Sequence, residues 1–252
     1  MIAGRELDGR VAIVTGSARN IGRAIATGLA SAGAAVVINA RRSAAEAEAA
    51  AAAICEAGGR AIVKLGDVSQ PSEAAGLVAA AEAEFGRLDI LVNNAASRPE
   101  SDFARLAYEE WRQVLATILD GAFLLTQAAL PLLRRSDAGA VINIGGLSAH
   151  TGAPRRAHVV TAKAGLVGLT RALAHDLAPD GITVNCVSPG LIETARGETS
   201  TPVPSHHSRQ DALLGRRGLP SEIAGLVRYL CGPDARYVTG QTIHANGGSY
   251  LG

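Results

Sequence analysis

VAIVTGSARNIG, residues 11–22, is the stretch that decides the fold. Its first residues, Val11 to Thr15, are apolar or β-branched and predict a buried strand. The strand stops at Gly16, and an alanine-rich helix begins at Ile21 after a short polar turn. This order of strand, turn and helix points free backbone N–H groups and the positive helix end at a phosphate. The stretch therefore predicts a nucleotide site, although a glycine after a strand also occurs in plain turns.

Composition narrows the class of protein. The 252 residues suit one α/β domain, assigned to residues 1–252, and the net charge of +1 argues against a nucleic-acid or anionic-membrane surface. We find no apolar run of about 18 residues and expect no membrane span. The first residues carry no apolar signal core, so we expect a cytoplasmic protein. The cysteines, Cys55, Cys186 and Cys231, are scattered and predict free thiols and no metal site.

Apolar strand-like runs alternate with helical stretches along the rest of the chain. The further predicted strands are 35–40, 60–65, 88–92, 140–144, 183–187 and 242–245. The further predicted helices are 43–57, 69–85 with Ser69 as its cap, 107–133, 161–177 and 221–230. This alternation predicts an α/β doubly wound Rossmann fold, with a parallel sheet covered by helices on both faces. Functional groups are then expected in the loops that follow the strands.

One segment departs from this compact pattern. Residues 193–214 contain Gly197, Pro202 and Pro204 and a polar run that includes His206 and His207. Long loops in compact domains are usually functional or disordered, so we interpret this segment as a substrate lid within the domain. A variable surface loop is the alternative. Two adjacent histidines without a further ligand at chelating spacing do not predict a metal site.

Several short motifs follow one another in the order of a known family. They are Thr15–Gly22, which resembles a TGxxxGxG turn with Asn20 at the middle glycine; Asp67-Val68; Asn93–Ala96; Ser188–Gly190 with Ile192 and Thr194; and Asn246–Gly248. The sequence thereby resembles the short-chain dehydrogenase/reductase family, and its 3-oxoacyl-ACP-reductase-like members, over nearly its whole length. The resemblance implies a nicotinamide cofactor, hydride transfer on a small molecule, and a homotetramer or homodimer.

The end of the second predicted strand argues for one form of the cofactor. An acidic residue there would accept a hydrogen bond from the ribose 2′-OH of NAD. The chain instead has Arg41 and Arg42, with Arg19 in the glycine turn, and guanidinium groups suit the 2′-phosphate of NADP. We therefore predict NADP(H), with NAD(H) as the alternative, and a solvated helix start as the alternative role of Arg42. The predicted cofactor-binding residues are Gly16, Ser17, Arg19, Asn20, Ile21, Gly22, Arg41, Arg42, Asp67, Val68, Asn94, Ala95, Lys163, Pro189, Gly190, Ile192 and Thr194.

The catalytic segment departs from the family pattern. The family places a Tyr four residues before a Lys on one helix face, so that the ammonium lowers the pKa of the tyrosine and holds the nicotinamide ribose. Lys163 matches the Lys, but Val159 stands at the Tyr position. Gly146 and Ile118 stand where the resemblance implies the supporting Ser and Asn. The proton relay is therefore expected to be non-standard.

His158 is the candidate for the missing proton donor, because it adjoins Val159 and imidazole titrates near neutrality. In a regular helix, however, its side chain would point away from the face of Lys163, since successive residues are rotated by about 100°. Ser148 and His150 follow the fifth predicted strand and are further candidates. Arg155-Arg156 is a candidate for binding an anionic substrate tail, with a solvated basic turn as the alternative.

Three functions remain open from the sequence. The first is an NADP(H)-dependent oxidoreductase acting on a carbonyl/alcohol pair of a small molecule. The second is a catalytically degenerate NADP(H)-binding regulatory or partner subunit, since a retained cofactor cradle with an erased proton relay fits that role. The third is a non-redox enzyme on the same scaffold. In each case the helices at 107–133 and 161–177, apolar on more than one face, are the expected subunit interface.

Overall fold

A computed structural model describes residues 4–194 and 212–252 and contains a seven-stranded sheet in the order β3-β2-β1-β4-β5-β6-β7. All six strand pairings are parallel. The strands are β1 (Val11–Val14), β2 (Ala35–Ala40), β3 (Arg60–Leu65), β4 (Ile90–Asn93), β5 (Ala140–Ile144), β6 (Thr183–Pro189) and β7 (Thr242–Ala245). The predicted doubly wound α/β Rossmann fold is confirmed. The winding reverses between β1 and β4, so their carboxyl ends mark the switch point at which ligands bind in such sheets.

Helices cover both faces of this sheet. They are α1 (Asn20–Ser31), α2 (Ala44–Glu56), α3 (Pro71–Phe85), α4 (Tyr108–Leu115), α5 (Gly121–Leu133), α6 (Ser148–Thr151), α7 (Ala157–Leu177) and α8 (Pro220–Cys231). One buried apolar cluster joins the sheet to α1, α2 and α8, and a second joins it to α3, α5 and α7. Strands β1, β2, β4, β5 and β6 are buried along their whole length, which explains why they are continuous apolar runs.

The long helix predicted at 107–133 is divided in the structure. Residues Ala116–Asp120 form a π-helical turn between α4 and α5. A Cβ placed on Gly121 would lie 2.8 Å from Val68 Cγ2, so this glycine allows the helix to approach the loop after β3 closely. The interruption therefore lies beside a predicted cofactor residue, as π turns often lie at functional sites.

The expectation of no membrane-length apolar run also needs correction. Within the described chain, Tyr108–Leu133 is long and apolar enough, by length and composition alone, to cross a membrane, with a mean hydropathy of 1.5. In the structure its α5 part packs on α3, β4 and β5, and its α4 part packs on α7. A core helix reaches the same hydropathy, because burial against a sheet and burial in lipid both select apolar side chains.

Two predictions on the carboxyl side of β5 were incomplete. Helix α7 begins at Ala157, four residues before the predicted Thr161, and the short helix α6 was not predicted. The β-branched pair Val159 and Val160 lowers the helix propensity of this first turn. Val159 is nevertheless buried in a cluster with α4 side chains, and this packing outweighs the local propensity.

Candidate active site

The glycine turn after β1 is held in a conformation that few residues accept. Gly16 has φ +60°, and Asn20 has φ 54°, a left-handed backbone for which asparagine is one of the better non-glycine residues. A Cβ on Gly22 would lie 2.4 Å from the Gly16 carbonyl oxygen and 2.9 Å from Ser17 Cα, so no side chain fits there. The turn thus leaves backbone rather than a side chain at Gly22, near the start of α1.

Asn94 joins this turn to the carboxyl end of β4. Its Nδ2 donates to the carbonyl oxygens of Thr15 at 2.8 Å and Gly16 at 3.1 Å. In return, Thr15 Oγ1 accepts hydrogen bonds from the backbone N–H groups of Asn94 and Ala95, both at 2.9 Å. The predicted residues of the two loops therefore form one hydrogen-bonded unit at the switch point.

Asn39 is a residue of this unit that the sequence analysis did not single out. It is 1% exposed, and its Oδ1 accepts from Gly16 N at 3.2 Å. Its Nδ2 donates to the carbonyl oxygens of Lys64 and Gly66 at 3.2 and 3.1 Å. An asparagine at the end of an otherwise apolar strand was the available signal, because a buried amide must satisfy both its donors and its acceptor.

The ends of β2 and β3 hold the polar groups predicted for the adenosine half of a cofactor. Asp67 Oδ1 accepts from the N–H and Oγ of Ser69, and its Oδ2 lies 3.6 Å from Arg41 Nη1. Burial alone would raise the pKa of Asp67, but the bonds from Ser69 and the charge of Arg41 outweigh it and lower the pKa. A cavity of about 390 Å³ opens here, lined by Arg41, Asp67, Ser69 and residues of α4 that include Arg112.

A larger cavity of about 610 Å³ lies between α1 and α8. It is lined mainly by small and apolar side chains, such as Ala24 and Ala224, together with Arg23 and Arg228. None of the residues from the ends of β2 to β6 lines it. Asn20, at the start of α1, also lines it, but none of the other predicted cofactor residues does, so this cavity lies mainly between the two helices.

Lys163 lies at the carboxyl end of β5. It is 5% exposed, and its Nζ donates to the Ile144 carbonyl oxygen at 2.5 Å. Burial, followed by the positive charge of Arg98, lowers the pKa of Lys163 to about 7, and the neighbouring Cys186 acts weakly in the opposite direction. Burial raises the pKa of the Cys186 thiol to about 11. Lys163 is therefore an amine that exchanges its proton at neutral pH.

The positions around Lys163 that lack a polar side chain in the sequence differ in their surroundings. Val159 is 1% exposed and Ile118 2% exposed, and both belong to one apolar cluster with residues of α4 and α7. A Cβ on Gly146 would meet nothing within 4 Å. One side of the site is thus a packed apolar wall, whereas the loop after β5 leaves open space.

His158 lies off the face of α7 that carries Lys163. The helix is already regular at Ala157, so His158 and Lys163 are rotated by about 140° from one another. The His158 ring is fully buried, and its Nε2 lies 3.1 Å from Glu110 Oε1, which also accepts a bond of 2.6 Å from Ser101 Oγ. The structure therefore joins His158 to α4, and the geometric condition under which it would reach the cleft is not met.

The other candidates after β5 are arranged differently from one another. His150 lies in a ring cluster with His244 and Tyr250, at centroid distances of 4.5 and 5.3 Å. Burial and the neighbouring His244 lower the pKa of His150. Ser148 is the first residue of α6. Of the predicted lid, residues 195–211 lie outside the described residues, and these include His206 and His207.

Arg98, in the loop after β4, is a second residue that the sequence analysis missed. After burial, the positive charge of Arg98 lowers the pKa of Lys163. Desolvation, followed by the charges of Arg156 and Arg19, lowers the pKa of Arg98 itself. Arg19 lies 3.9 Å from Glu46, and Arg156 lies 3.6 Å from Glu100. Within the described chain no carboxylate forms an ion pair with Arg98. No sequence pattern marked it, because its charged neighbours come from three separate segments, the glycine turn, the turn before α7 and α7 itself.

The loop after β6 completes this edge. A Cβ on Gly190 would lie 2.7 Å from Asn246 Cα, so this glycine permits close packing against the C-terminal segment. The Pro189 carbonyl oxygen accepts from Leu147 N at 2.9 Å, which joins the loop to the one after β5. Ile192 bridges to Gly218, and Thr194 is the last described residue before the gap.

Comparison with known proteins agrees with this architecture. The sequence profile of a family described as enoyl-(acyl carrier protein) reductase matches residues 16–250. A 3-oxoacyl-[acyl-carrier-protein] reductase of Synechocystis is 39% identical over 97% of this chain and 98% of its own length. A short-chain dehydrogenase/reductase of Serratia marcescens is 37% identical, with a TM-score of 0.89 over 98% of this chain and 100% of that one.

The chain belongs to the short-chain dehydrogenase/reductase family. A further member, a short-chain dehydrogenase of Burkholderia cenocepacia, was solved in complex with NADP and is 33% identical, with a TM-score of 0.90 over 97% of this chain and 99% of that one. The family is one of oxidoreductases. In this short-chain dehydrogenase/reductase, the glycine turn, the Asn94 bonds and Lys163 lie at the carboxyl edge of the sheet, where the sequence predicts the nucleotide site.

Proposed function

We propose that this short-chain dehydrogenase/reductase is an NADP(H)-dependent oxidoreductase that acts on a carbonyl/alcohol pair of a small molecule. The observation that carries the proposal is the union, at one sheet edge, of a glycine turn that excludes side chains with a buried lysine at the end of β5. The nicotinamide, when bound, supplies or accepts a hydride. Residues of this chain bind the cofactor, orient the substrate and transfer the proton.

We call the glycine turn at 16–22 and the loop at 189–190 the cofactor cradle. It suits a dinucleotide because it exposes backbone atoms rather than side chains. A Cβ on Gly22 or Gly190 would collide with neighbouring backbone, so N–H groups and carbonyls can approach a ligand closely at both places. We assign the diphosphate to the N-terminus of α1. The residues assigned to the cofactor are Gly16, Ser17, Arg19, Asn20, Ile21, Gly22, Arg41, Arg42, Asp67, Val68, Asn94, Ala95, Lys163, Pro189, Gly190, Ile192 and Thr194.

The preference for NADP(H) rests on the charges after β2. Arg41, 43% exposed on its side chain, and the exposed Arg42 stand where an NAD-specific chain would carry an acid. A 2′-phosphate there gains charge-assisted hydrogen bonds, and Arg19 from the glycine turn is the third cation nearby. The NADP complex of the Burkholderia relative supports this assignment. NAD(H) is expected to bind more weakly.

The substrate and the proton relay are the parts of the proposed reaction that the cofactor site does not define. The name of the Synechocystis relative makes a 3-oxoacyl thioester the first substrate to test. We infer that Val159, Ile118 and Gly146 replace the Tyr, Asn and Ser of the family, so the relay differs from the usual one. We further propose a cytoplasmic homotetramer or homodimer and a substrate lid at 193–214.

Calorimetric titration with NADP⁺, NADPH, NAD⁺ and NADH tests the cofactor assignment. We expect the phosphorylated pair to bind at least 10-fold more tightly, which corresponds to about 1.4 kcal/mol. Turnover is then measured on acetoacetyl-N-acetylcysteamine and a panel of small ketones and aldehydes by the absorbance of NADPH. Absence of binding to all four nucleotides would refute the proposal.

A second function is favoured by one observation, the apolar wall at Val159 and Ile118. An NADP(H)-binding regulatory or partner subunit would keep the cradle and lose the proton chemistry. General acid catalysis contributes about 10²–10⁴ in rate, so a site without any donor would be a very poor enzyme. Tight NADPH binding combined with no turnover on any carbonyl of the panel would select this second function.

A further inference from the structure

The site contains few groups that can give a proton to a substrate oxygen. Val159 and Ile118 have none, and Gly146 has no side chain. His158 is fully buried, bound to Glu110 and on another face of α7. Among the described residues, the titratable groups that act on Lys163 of α7 are Cys186 on β6 and Arg98 in the loop after β4. His150 on α6 also follows β5, but its ring packs against His244 and Tyr250.

We propose that Lys163 is itself the proton donor of the reaction and that Arg98 is the positioning residue that keeps its proton transferable. This inference deepens the proposed function and rests on it. The geometry is that of one ammonium held at the Ile144 carbonyl oxygen, beside the open space at Gly146 and the apolar wall at Val159. The amine thus has its anchor at the end of β5, two residues before the glycine that leaves space in the following loop.

Electrostatics favours Lys163 over its neighbours. Burial and the charge of Arg98 bring the pKa of Lys163 to about 7, close to the pKa at which a donor is most effective at neutral pH. The pKa of the Cys186 thiol, about 11, keeps it protonated and a poor donor. An arginine does not release its proton in this range. Arg98 is exposed and forms no ion pair within residues 4–194 and 212–252, and its positive charge adds to burial in lowering the pKa of the lysine.

The proposed step balances as follows in the direction of reduction. The carbonyl carbon takes the hydride, which brings two electrons, and the C–O π pair moves to the oxygen. That oxygen forms an O–H bond with a proton of Lys163 Nζ as the N–H bond breaks, which leaves a neutral amine. Solvent returns the proton to the amine, and oxidation of the alcohol follows the reverse path.

The composition of the chain makes the proton state of Lys163 directly measurable. The sequence contains two lysines, Lys64 and Lys163, and Lys64 is exposed on β3. Protein labelled only at lysine with ¹³C and ¹⁵N therefore gives two sets of side-chain NMR signals, which Lys64→Arg assigns. We expect Lys163 to titrate near 7. A Lys163 amine that titrates near the ordinary lysine value of about 10.4 would overturn the proposal without any variant of the site.

Arg98→Gln tests the positioning residue. Removal of a positive neighbour favours the charged amine, so the pKa of Lys163 should rise, by on the order of 0.5 unit or more. The pH at which the rate of carbonyl reduction falls should rise with it, because reduction requires the protonated lysine. Arg98→Lys retains the charge and should leave both values near those of the parent protein. Equal values for the Gln and Lys variants would remove Arg98 from the proposal.

Lys163→Arg tests the donor by a change that keeps the positive charge. A guanidinium can still donate hydrogen bonds to ribose hydroxyls but does not lose its proton, so we expect turnover to fall by about 10²–10⁴. NADPH binding, measured by calorimetry, confirms that the variant folds. Unchanged turnover in Lys163→Arg, or an equal loss in His158→Gln, would overturn the assignment. Absence of NADPH binding in the unsubstituted protein would instead refute the proposed function.

Discussion

The amino edge of the sheet and the carboxyl end of β5 differ in how their charged side chains are paired. At the amino edge, the fully buried Asp89 accepts from Val11 N at 2.9 Å, from Ser136 Oγ at 2.5 Å and from Arg87. At the carboxyl edge, Lys163 has one carbonyl partner, and Arg98 has no ion pair among the described residues. The amino edge stabilises the fold by satisfying its charges. Near the end of β5, Lys163 and Arg98 have no carboxylate partner in the part of the chain that the structure describes, which is a cost unless an anionic ligand or a reaction uses their charge.

Gly22→Ala should give the largest effect of the substitutions outside the lysine site. The new Cβ would lie 2.4 Å from the Gly16 carbonyl oxygen, so the turn must shift, and we expect NADPH affinity to fall about 100-fold or more with a loss of about 1–3 kcal/mol in stability. Gly28→Ala on the same helix is the matched control, because its Cβ would lie 3.4 Å from Ala224 Cβ. It should be neutral or slightly stabilising. Calorimetry and thermal unfolding measure both. Equal effects of the two changes would show that the turn is not a cradle.

Asp89→Asn should act on stability and not on the cofactor. Burial alone would raise the pKa of Asp89, but bonds from Arg87, Ser136 and Val11 outweigh it and lower the pKa. Because the pKa of the folded state lies below that of the unfolded chain, the carboxylate stabilises the fold above about pH 4 and loses this contribution as pH falls further. We expect a loss of about 1–3 kcal/mol at pH 7 in denaturant unfolding.

The pH dependence sharpens that prediction. The difference in unfolding free energy between Asp89→Asn and the parent protein should shrink as pH falls through the lowered pKa of Asp89. NADPH affinity at pH 7 should stay within about 2-fold, since Asp89 lies at the edge away from the cradle. A large loss of NADPH affinity in a variant of normal stability would contradict the separation of the two edges.

Arg41→Ala should give the smallest effect and the most selective one. Removal of one guanidinium from the predicted 2′-phosphate position should lower NADPH affinity about 10-fold, or about 1.4 kcal/mol, and leave NADH affinity nearly unchanged. Glu48→Ala, an exposed change on α2, is the control for general effects on this surface. Equal losses for NADPH and NADH would mean that Arg41 holds Asp67 in place rather than the phosphate.

Local patterns predicted most of the fold because each depends on neighbours in sequence. Continuous apolar runs marked the buried strands, and Gly16 and Asn20 marked a turn with positive φ. Element ends were less accurate where packing overrides propensity, as at Val159, whose burial extends α7 by one turn beyond the prediction. The π turn at Ala116–Asp120 had no local signal, since the close contact of Gly121 with Val68 lies between distant segments.

The sequence by itself determined the alternation of strands and helices, the position of the glycine turn and the presence of Lys163 four residues after a valine. Only the tertiary structure decided the pKa of Lys163, because the residues that bury it and its neighbour Arg98 come from different strands and loops. It also gave His158 its partner Glu110 on α4 and gave Asn39 its three backbone bonds. Turn chemistry and hydrophobic period are local, whereas proton affinity and hydrogen-bond partnership depend on which distant groups the fold brings together.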